Sequence, residues 1–377
     1  MEDTEGLCVS SNCSCRPVED IESLGIDEYL KTVLREVVNR LSPALQYGLP
    51  IVMRPESLFL SSPSGTFSSV LSIIGLAQLI DSSIKSLQGI VVIPRKTLIE
   101  EYIERFNKFN SLKKIKWAKC VGGEYFNKKL LNSANLLICT PGKLLSLLDS
   151  SSINLDNIKI VTFDVCNHLF VGDIKPQSES ILSKLPNTII YWFISPIPDE
   201  VSKEAYLQKN PEGKTIEILD NRVLKQVKFF YKFYECENSI FQYLNERFEL
   251  FQGQIVVFTS NIEELERTYL AVQKWGALKL TDSVKVEEQI RIRDEFCVGR
   301  VKGLLCQGNF ALSRKVLCKG VVEVYVLDNV NGDMLVARAR RGSFMRDDKL
   351  VLFCKEYEKE DVDKLGQEVG VEFLNIS

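Results

Sequence analysis

The sequence predicts an α/β protein made of two tandem doubly wound parallel-sheet domains, and three observations carry that expectation. Short, continuously apolar runs such as Ile90–Ile93 and Ile255–Phe258 alternate with amphipathic stretches of helical length, the pattern of strands covered on both faces by crossover helices. The alternation runs through the first half of the chain, stops at a polar turn cluster, and starts again. The length of 377 residues suits two domains at roughly 150 residues each.

Taken in order, residues 1–20 read as a disordered acidic arm, with Ser10-Ser11-Asn12 and Pro17 breaking any pattern. A helix is expected over 26–38 and a strand at Leu58–Leu60, followed by a helix over Ser69–Ser83 and a strand at Gly89–Ile93. A helix at 97–109, strands at Lys116–Cys120 and Leu136–Cys139, and a helix at 142–149 come next. A strand at Lys159–Phe163, a helix at 177–184 and a strand at Ile189–Phe193 complete the first series. Asn210-Pro211-Glu212-Gly213 is a turn cluster and Asp220-Asn221 is polar, which places a first domain at 21–212, a linker at 213–222 and a second domain at 223–377. The second series has strands at Gln226–Tyr234, Gln254–Thr259, Leu278–Leu280, Val301–Cys306, Val321–Leu327 and Leu350–Phe353. Helices at 236–250, 261–275, 284–296 and 357–368 separate or follow them.

A composition of 45% hydrophobic and 26% charged residues excludes a disordered chain, a collagen and a small disulfide scaffold. The apolar runs fall far short of the roughly 20 residues that a bilayer requires, so no membrane role is expected. Met1–Glu5 is acidic where a secretory leader would be basic and then apolar, so the expected setting is soluble and intracellular, in cytoplasm or nucleus. Eleven cysteines, several inside apolar runs, read as free thiols of a reducing compartment. Cys8, Cys13 and Cys15 lack a nearby fourth ligand, and the only histidine, His168, is distant, so zinc is disfavoured. Residues 1–28 hold eight acids against Arg16 alone, a net of −7 that leaves +4 on the remainder of a chain whose total is −3. A mildly basic body is compatible with RNA without arguing for it.

Ligands of open α/β sheets bind at the C-terminal ends of strands, and the segments there form an ordered series. Ser61-Ser62-Pro63-Ser64-Gly65-Thr66-Phe67-Ser68-Ser69 runs from strand into helix where a phosphate loop belongs. Then come Pro94-Arg95-Lys96-Thr97-Leu98, Gly122-Gly123, Thr140-Pro141-Gly142-Lys143-Leu144, Phe163-Asp164-Val165-Cys166-Asn167 and Trp192-Phe193-Ile194-Ser195-Pro196. In this order the segments resemble the P-loop, PTREL, GG, TPGR, DEAD and SAT motifs of the DEAD-box RNA helicases of superfamily 2. Val256-Val257-Phe258-Thr259 resembles motif IV, and Phe296 with Gly299 stands where the family has F-x-x-G. Ala337 to Phe344 is similar to a worn HRxGRxGRxG, and Ser23–Ile26 with Ser42–Pro50 to the lead-in that carries the Q motif, with Gln46 one place out of register. The resemblance spans about residues 21–377 and implies two RecA-like domains. Arg54 to Leu58, running into Ser64-Gly65-Thr66, is most similar to the mRNA-export branch at the nuclear pore, with the translation-initiation branch next.

What the resemblance implies for chemistry is ATP and Mg²⁺ held by Ser64, Gly65, Thr66, Ser68 and Ser69, with Ser69 and Asp164 on the metal and Arg340 as a catalytic arginine beside Asp164. The departures argue against productive binding. Ser68 stands where the family has the lysine of the β/γ-phosphates, Phe67 where it has a glycine, and Val165 where it has the glutamate that orients water. In motif V the arginine and aspartate fall on Ser313 and Val316, although a one-residue slip recovers Arg314. In motif VI Arg340 survives while the last arginine falls on Ser343. The resemblance implies that the RNA-gripping loops are better kept: Pro94, Gly122, Gly123, Thr140, Pro141, Gly142 and Lys143 match residues that hold sugar-phosphate largely through backbone N–H groups, and Lys96 stands near the family's arginine, although turn chemistry and helix capping without a ligand would use the same residues. Lys113, Lys114, Lys116 and Lys119 add nearby charge that equally suits a solvated face. The expectation is a monomeric helicase-fold scaffold with decayed ATPase motifs, binding RNA weakly without sequence preference, or a protein partner of DEAD-box proteins. The alternatives are a functional ATP-dependent RNA helicase with divergent motifs and a docking module that has lost RNA as well.

Overall fold

The structure, a computed structural model, describes residues 7–14, 16–38, 41–63, 68–123, 128–220, 227–281, 283–307, 322–328, 330–339 and 348–376. The chain divides into two compact units, one over Cys8–Leu219 and one beginning at Asp220.

The first unit is an eight-stranded sheet. Its strands are β1 (Leu7–Ser11), β2 (Leu58–Ser61), β3 (Gly89–Val92), β4 (Trp117–Cys120), β5 (Leu136–Cys139), β6 (Ile160–Asp164), β7 (Ile190–Ser195) and β8 (Lys214–Asp220), in the order β1-β8-β2-β7-β6-β3-β5-β4. From β8 to β4 every pairing is parallel. β2, β3, β5 and β6 are buried along their whole length, which is why they read as unbroken apolar runs. The helix Ser68–Leu79 that follows β2 has ten of its twelve residues buried and lies inside the unit. Its Gly75 is required by packing: a Cβ there would come within 2.5 Å of the buried Trp192 ring.

The second unit is a seven-stranded sheet of β9 (Val227–Phe233), β10 (Gln254–Thr259), β11 (Ala277–Leu280), β12 (Gly303–Gln307), β13 (Val322–Val326), β14 (Asp348–Cys354) and β15 (Leu374–Asn375). The order is β11-β12-β10-β13-β14-β9-β15, all parallel. Apolar clusters cover both faces, one around Phe229, Phe258 and Phe296, the other around Leu244, Tyr325 and Phe353.

Two boundary expectations are corrected. The arm expected to be disordered over 1–20 contains β1, which joins the edge of the sheet beside β8. Asn12 locks that junction: its side chain donates to Gly213 O at 2.9 Å and accepts from Thr215 N at 2.8 Å. Side-chain amides that replace ladder bonds in this way are invisible to hydrophobic periodicity. The linker expected over 213–222 is β8 through Asp220, with Thr215, Ile216 and Ile218 buried, while residues 221 and 222 lie outside the described residues. The turn cluster at Asn210–Gly213 ends a helix over Glu200–Lys209 and not the domain.

Candidate functional site

The strand ends of the first sheet collect the sequence-predicted residues in two neighbouring groups. The first lies where β2, β7 and β6 end side by side. Ser64, Gly65, Thr66 and Phe67 lie outside the described residues. Ser68 and Ser69 open the helix after β2 and are 4% and 2% exposed. Ser69 Oγ donates to Asp164 Oδ2 at 2.7 Å. Ser72, one turn on, donates to Ser69 O at 3.0 Å and shares a 2.9 Å hydrogen bond with the Tyr102 hydroxyl. A polar strand of contacts thus runs from β6 through the helix to Tyr102, in a layer otherwise apolar.

Val165 follows Asp164 in the left-handed region, at φ 61° and ψ 47°. A β-branched residue there costs about 1–2 kcal/mol. The turn is held by His168 N donating to Val165 O at 3.0 Å, and the Val165 side chain is buried. Cys166 is fully buried, and burial pushes its thiol pKa well up, so it is not a nucleophile. Burial, and then the Arg95 guanidinium, hold His168 below the usual imidazole range, with Asp199 pulling the other way. The Ser195-Pro196-Ile197 turn closes on itself: Ser195 Oγ donates to Ile197 O at 2.6 Å.

The second group follows β3, β4 and β5, the strands at one side of the same sheet. Pro94 is buried, Arg95 takes the cap position, and Lys96 opens the helix Lys96–Asn110. Gly122 and Gly123 are exposed after β4, and Gly123 needs its φ of 77°. Thr140 takes the N-cap position of the helix Pro141–Asp149 without a side-chain capping bond, and Pro141 lies in the first turn. A Cβ at Gly142 would press to 3.0 Å from Gln177 Oε1, and Lys143 is half-buried one residue on. Two helix N-termini and a glycine turn therefore present backbone N–H groups at one side of the strand-end surface, a suitable arrangement for phosphate. The basic run contributes less than its sequence suggests, because Lys119 pairs with Glu100 at 2.8 Å and Lys113 with Asp27.

In the second unit Arg340, Ser313, Arg314, Val316 and Ser343 lie outside the described residues. The F-x-x-G pair is in place: Gly299, at φ 82°, donates to Phe296 O at 3.0 Å and turns the chain out of the helix Val286–Cys297. Sequence reasoning passed over Arg338. It is fully buried on the helix Gly332–Ala339, forks onto both oxygens of Asp328, and stacks over Phe258 at 5.1 Å. A carboxylate two residues past the apolar β13, with an arginine ten residues on, was the available signal.

Ser69 and Asp164 are hard oxygen donors and fit a Mg²⁺ ion in kind. The neighbouring positions fit phosphoryl transfer poorly: Ser68 has no cation to offer a phosphate and Val165 no carboxylate to orient water.

The fold and the strand-end site define a tandem RecA-like α/β protein. Residues 43–200 match the family model described as DEAD/DEAH box helicase. The chain is 24% identical over 344 residues to the ATP-dependent RNA helicase DBP5 of Kluyveromyces lactis, covering 87% of this chain and 70% of the relative. It is 22% identical over 358 residues to DEAD-box ATP-dependent RNA helicase 6 of Oryza sativa subsp. japonica, covering 93% and 70%. Among solved structures, S. cerevisiae Dbp5 bound to RNA and ADP BeF3 superposes with a TM-score of 0.80 at 19% identity, over 95% of this chain and 96% of that one. The helicase Mss116 bound to ssRNA and UDP-BeF gives 0.79 at 15% identity, over 96% and 81%. The first unit is thus similar to the DEAD/DEAH box helicases, and DBP5 proteins are among the proteins that the chain resembles over most of its length.

Proposed function

We propose that this protein holds single-stranded RNA, or a partner of RNA metabolism, on a DEAD-box scaffold without turning over ATP. The observation that carries the reading is the chemistry at the ends of β2 and β6: an uncharged, buried Ser68, an apolar, buried Val165, and Asp164 accepting a hydrogen bond from Ser69 Oγ. Phosphoryl transfer is almost wholly electrostatic positioning, and a missing arginine finger alone is worth about 10³–10⁵ in rate. A site without the phosphate cation or the water-orienting carboxylate has little left to supply.

RNA remains the ligand class because the loops after β3, β4 and β5 present backbone donors, which tolerate side-chain change, in a form that suits phosphodiester. A relative was solved with RNA and ADP BeF3, and a Dbp5 variant with a Gle1 variant and IP6. By extension this chain acts as a monomer in mRNA export or translation, in the cytoplasm or at the nuclear pore. No helix among the described residues is long and apolar enough to cross a membrane.

The second reading, an active helicase with divergent motifs, is favoured by one feature: Ser69 and Asp164 keep the hydroxyl–carboxylate pair that suits Mg²⁺. Phosphate release measured with and without single-stranded RNA separates the two. RNA-stimulated turnover supports the helicase, and none supports the scaffold.

A further inference from the structure

Between β2 and the helix Glu200–Lys209, three buried oxygen atoms make no hydrogen bond: Ser61 Oγ, Ser202 Oγ and Asp199 Oδ2. Ser61 is 1% exposed and Ser202 fully buried. The stacking of the layers brings them together. Across this interface the Phe59 and Tyr206 rings have centroids 6.1 Å apart. Ser61 lies two residues beyond Phe59 on β2 and so projects from the same face of the sheet. The helix starts beyond the end of β7 and runs back along the sheet to β8. Ser202, one turn before Tyr206, therefore projects from the same helix face at the level of Ser61. Asp199 stands at the head of that helix, where its Oδ1 accepts from Ser202 N at 3.2 Å. The buried Cys166 thiol adjoins Asp199 and Ser202.

A buried carboxylate oxygen is costly unless a positive charge meets it, and the nearby bases are engaged elsewhere. Lys203, one turn on from Asp199, pairs with Glu200 and Glu217. His168 lies within electrostatic range, but burial and then the Arg95 guanidinium hold it below the usual imidazole range, so it is neutral at pH 7. The helix N-terminus, whose field disfavours a cation, is met by Oδ1 of the same carboxylate. Ser195 Oγ, in register beside Ser61, is turned to Ile197 O. What remains is one carboxylate oxygen and two hydroxyl oxygens, hard donors that together carry a single negative charge. Ca²⁺ recruits six to eight oxygens and Mg²⁺ demands a near-ideal octahedron, usually with phosphate. Burial keeps the Cys166 thiol protonated, which disfavours a soft metal.

We propose that Ser61 Oγ, Ser202 Oγ and Asp199 Oδ2 bind a monovalent alkali cation, K⁺ or Na⁺, that pins the end of β2 to the helix after β7. The site is separate from the Ser69–Asp164 pair. Phe163 packs on Phe193 in the Phe59 layer, so Asp164, the next residue of β6, faces the other side of the sheet. The proposal goes beyond the RNA-scaffold reading and does not depend on it.

The test melts the full-length chain in KCl, NaCl and choline chloride at one ionic strength, choline being too large to enter between two buried serines. K⁺ or Na⁺ should raise the melting temperature of wild type by about 2–4 °C over choline. Asp199→Asn keeps a helix-capping side chain and should abolish that gain. Ser61→Ala with Ser202→Ala should abolish it too, and should melt no lower than wild type in choline, because two buried hydroxyls without partners are removed. A purely structural role would instead lower melting equally in all three salts. Crystals soaked in Tl⁺, a K⁺ substitute with strong anomalous scattering, should show the ion on these three oxygens. Equal melting of wild type in the three salts, a gain that survives in either variant, or water in place of Tl⁺ at these oxygens overturns the proposal. The RNA-scaffold reading fails separately, on RNA and ATP measurements that none of these experiments touches.

Discussion

Ser69 Oγ donates to Asp164 Oδ2 across 2.7 Å, joining the first turn of the helix after β2 to the last residue of β6. Both residues are almost fully buried, and a hydrogen bond to a charged buried acceptor is worth roughly 1.5–3 kcal/mol. Ser69→Ala should therefore lower unfolding free energy by about that amount in urea, while Ser69→Thr keeps the donor and loses less. Equal stability of Ser69→Ala and wild type would show that the pair does not hold the fold together.

Much of this fold was legible because β2, β3, β5 and β6 are buried on both faces and print unbroken apolar runs. What periodicity missed has physical causes. β1 is a half-exposed edge strand held by an Asn12 side chain, and the helix Pro43–Val52 carries Pro50 inside it. The site was legible as an order of motifs at strand ends. The left-handed Val165 and the buried Arg338–Asp328 pair were not, because one is a backbone angle and the other a contact between an arginine and an acid on separate elements.

The absence of a cation at Ser68 and of a carboxylate at Val165 predicts no RNA-stimulated ATP hydrolysis. Phosphate release should stay well below about 1 s⁻¹, the low end of ordinary enzymes, with or without single-stranded RNA. Turnover at or above that rate would mean that another group has taken over the charge of the missing lysine.

Reversion probes the same site from the other side. Phe67→Gly, Ser68→Lys and Ser69→Thr together should restore nucleotide binding measurable by calorimetry, because they return the glycine, the phosphate cation and the family's metal hydroxyl. Wild type binding ATP as tightly as the triple variant would remove Phe67 and Ser68 as the obstacle.

Glu264 gives the second unit a pH signature. Burial first, then Asp328 and Glu237, push its carboxyl up to about 7 from an ordinary value of 4.5. The folded state then binds the proton more tightly than the unfolded state, so stability is greatest below the unfolded value and falls as pH rises from about 4.5 to about 7. Glu264→Gln should be more stable than wild type at pH 8 and lose that advantage at pH 5. The two melting curves keeping a constant separation across that range would assign the shift elsewhere.

RNA binding by the first unit should behave as contact with backbone alone. The donors after β3, β4 and β5 are helix N-termini and a glycine turn, which read phosphate position and not base identity. Homopolymers should therefore bind alike, and affinity should fall linearly on a log–log plot against salt as counterions are released. Lys96 and Lys143 bring one side-chain charge each to these loops, so few phosphates are neutralised. The expected Kd is then on the order of 10⁻⁴–10⁻⁶ M, the range of non-specific electrostatic binding. Lys96→Ala with Lys143→Ala should weaken all RNAs equally and reduce the salt slope by about two, close to one for each phosphate that no longer meets a lysine. An unchanged slope in the double variant, or no binding by wild type at low salt, would move the function of this chain from RNA to protein docking.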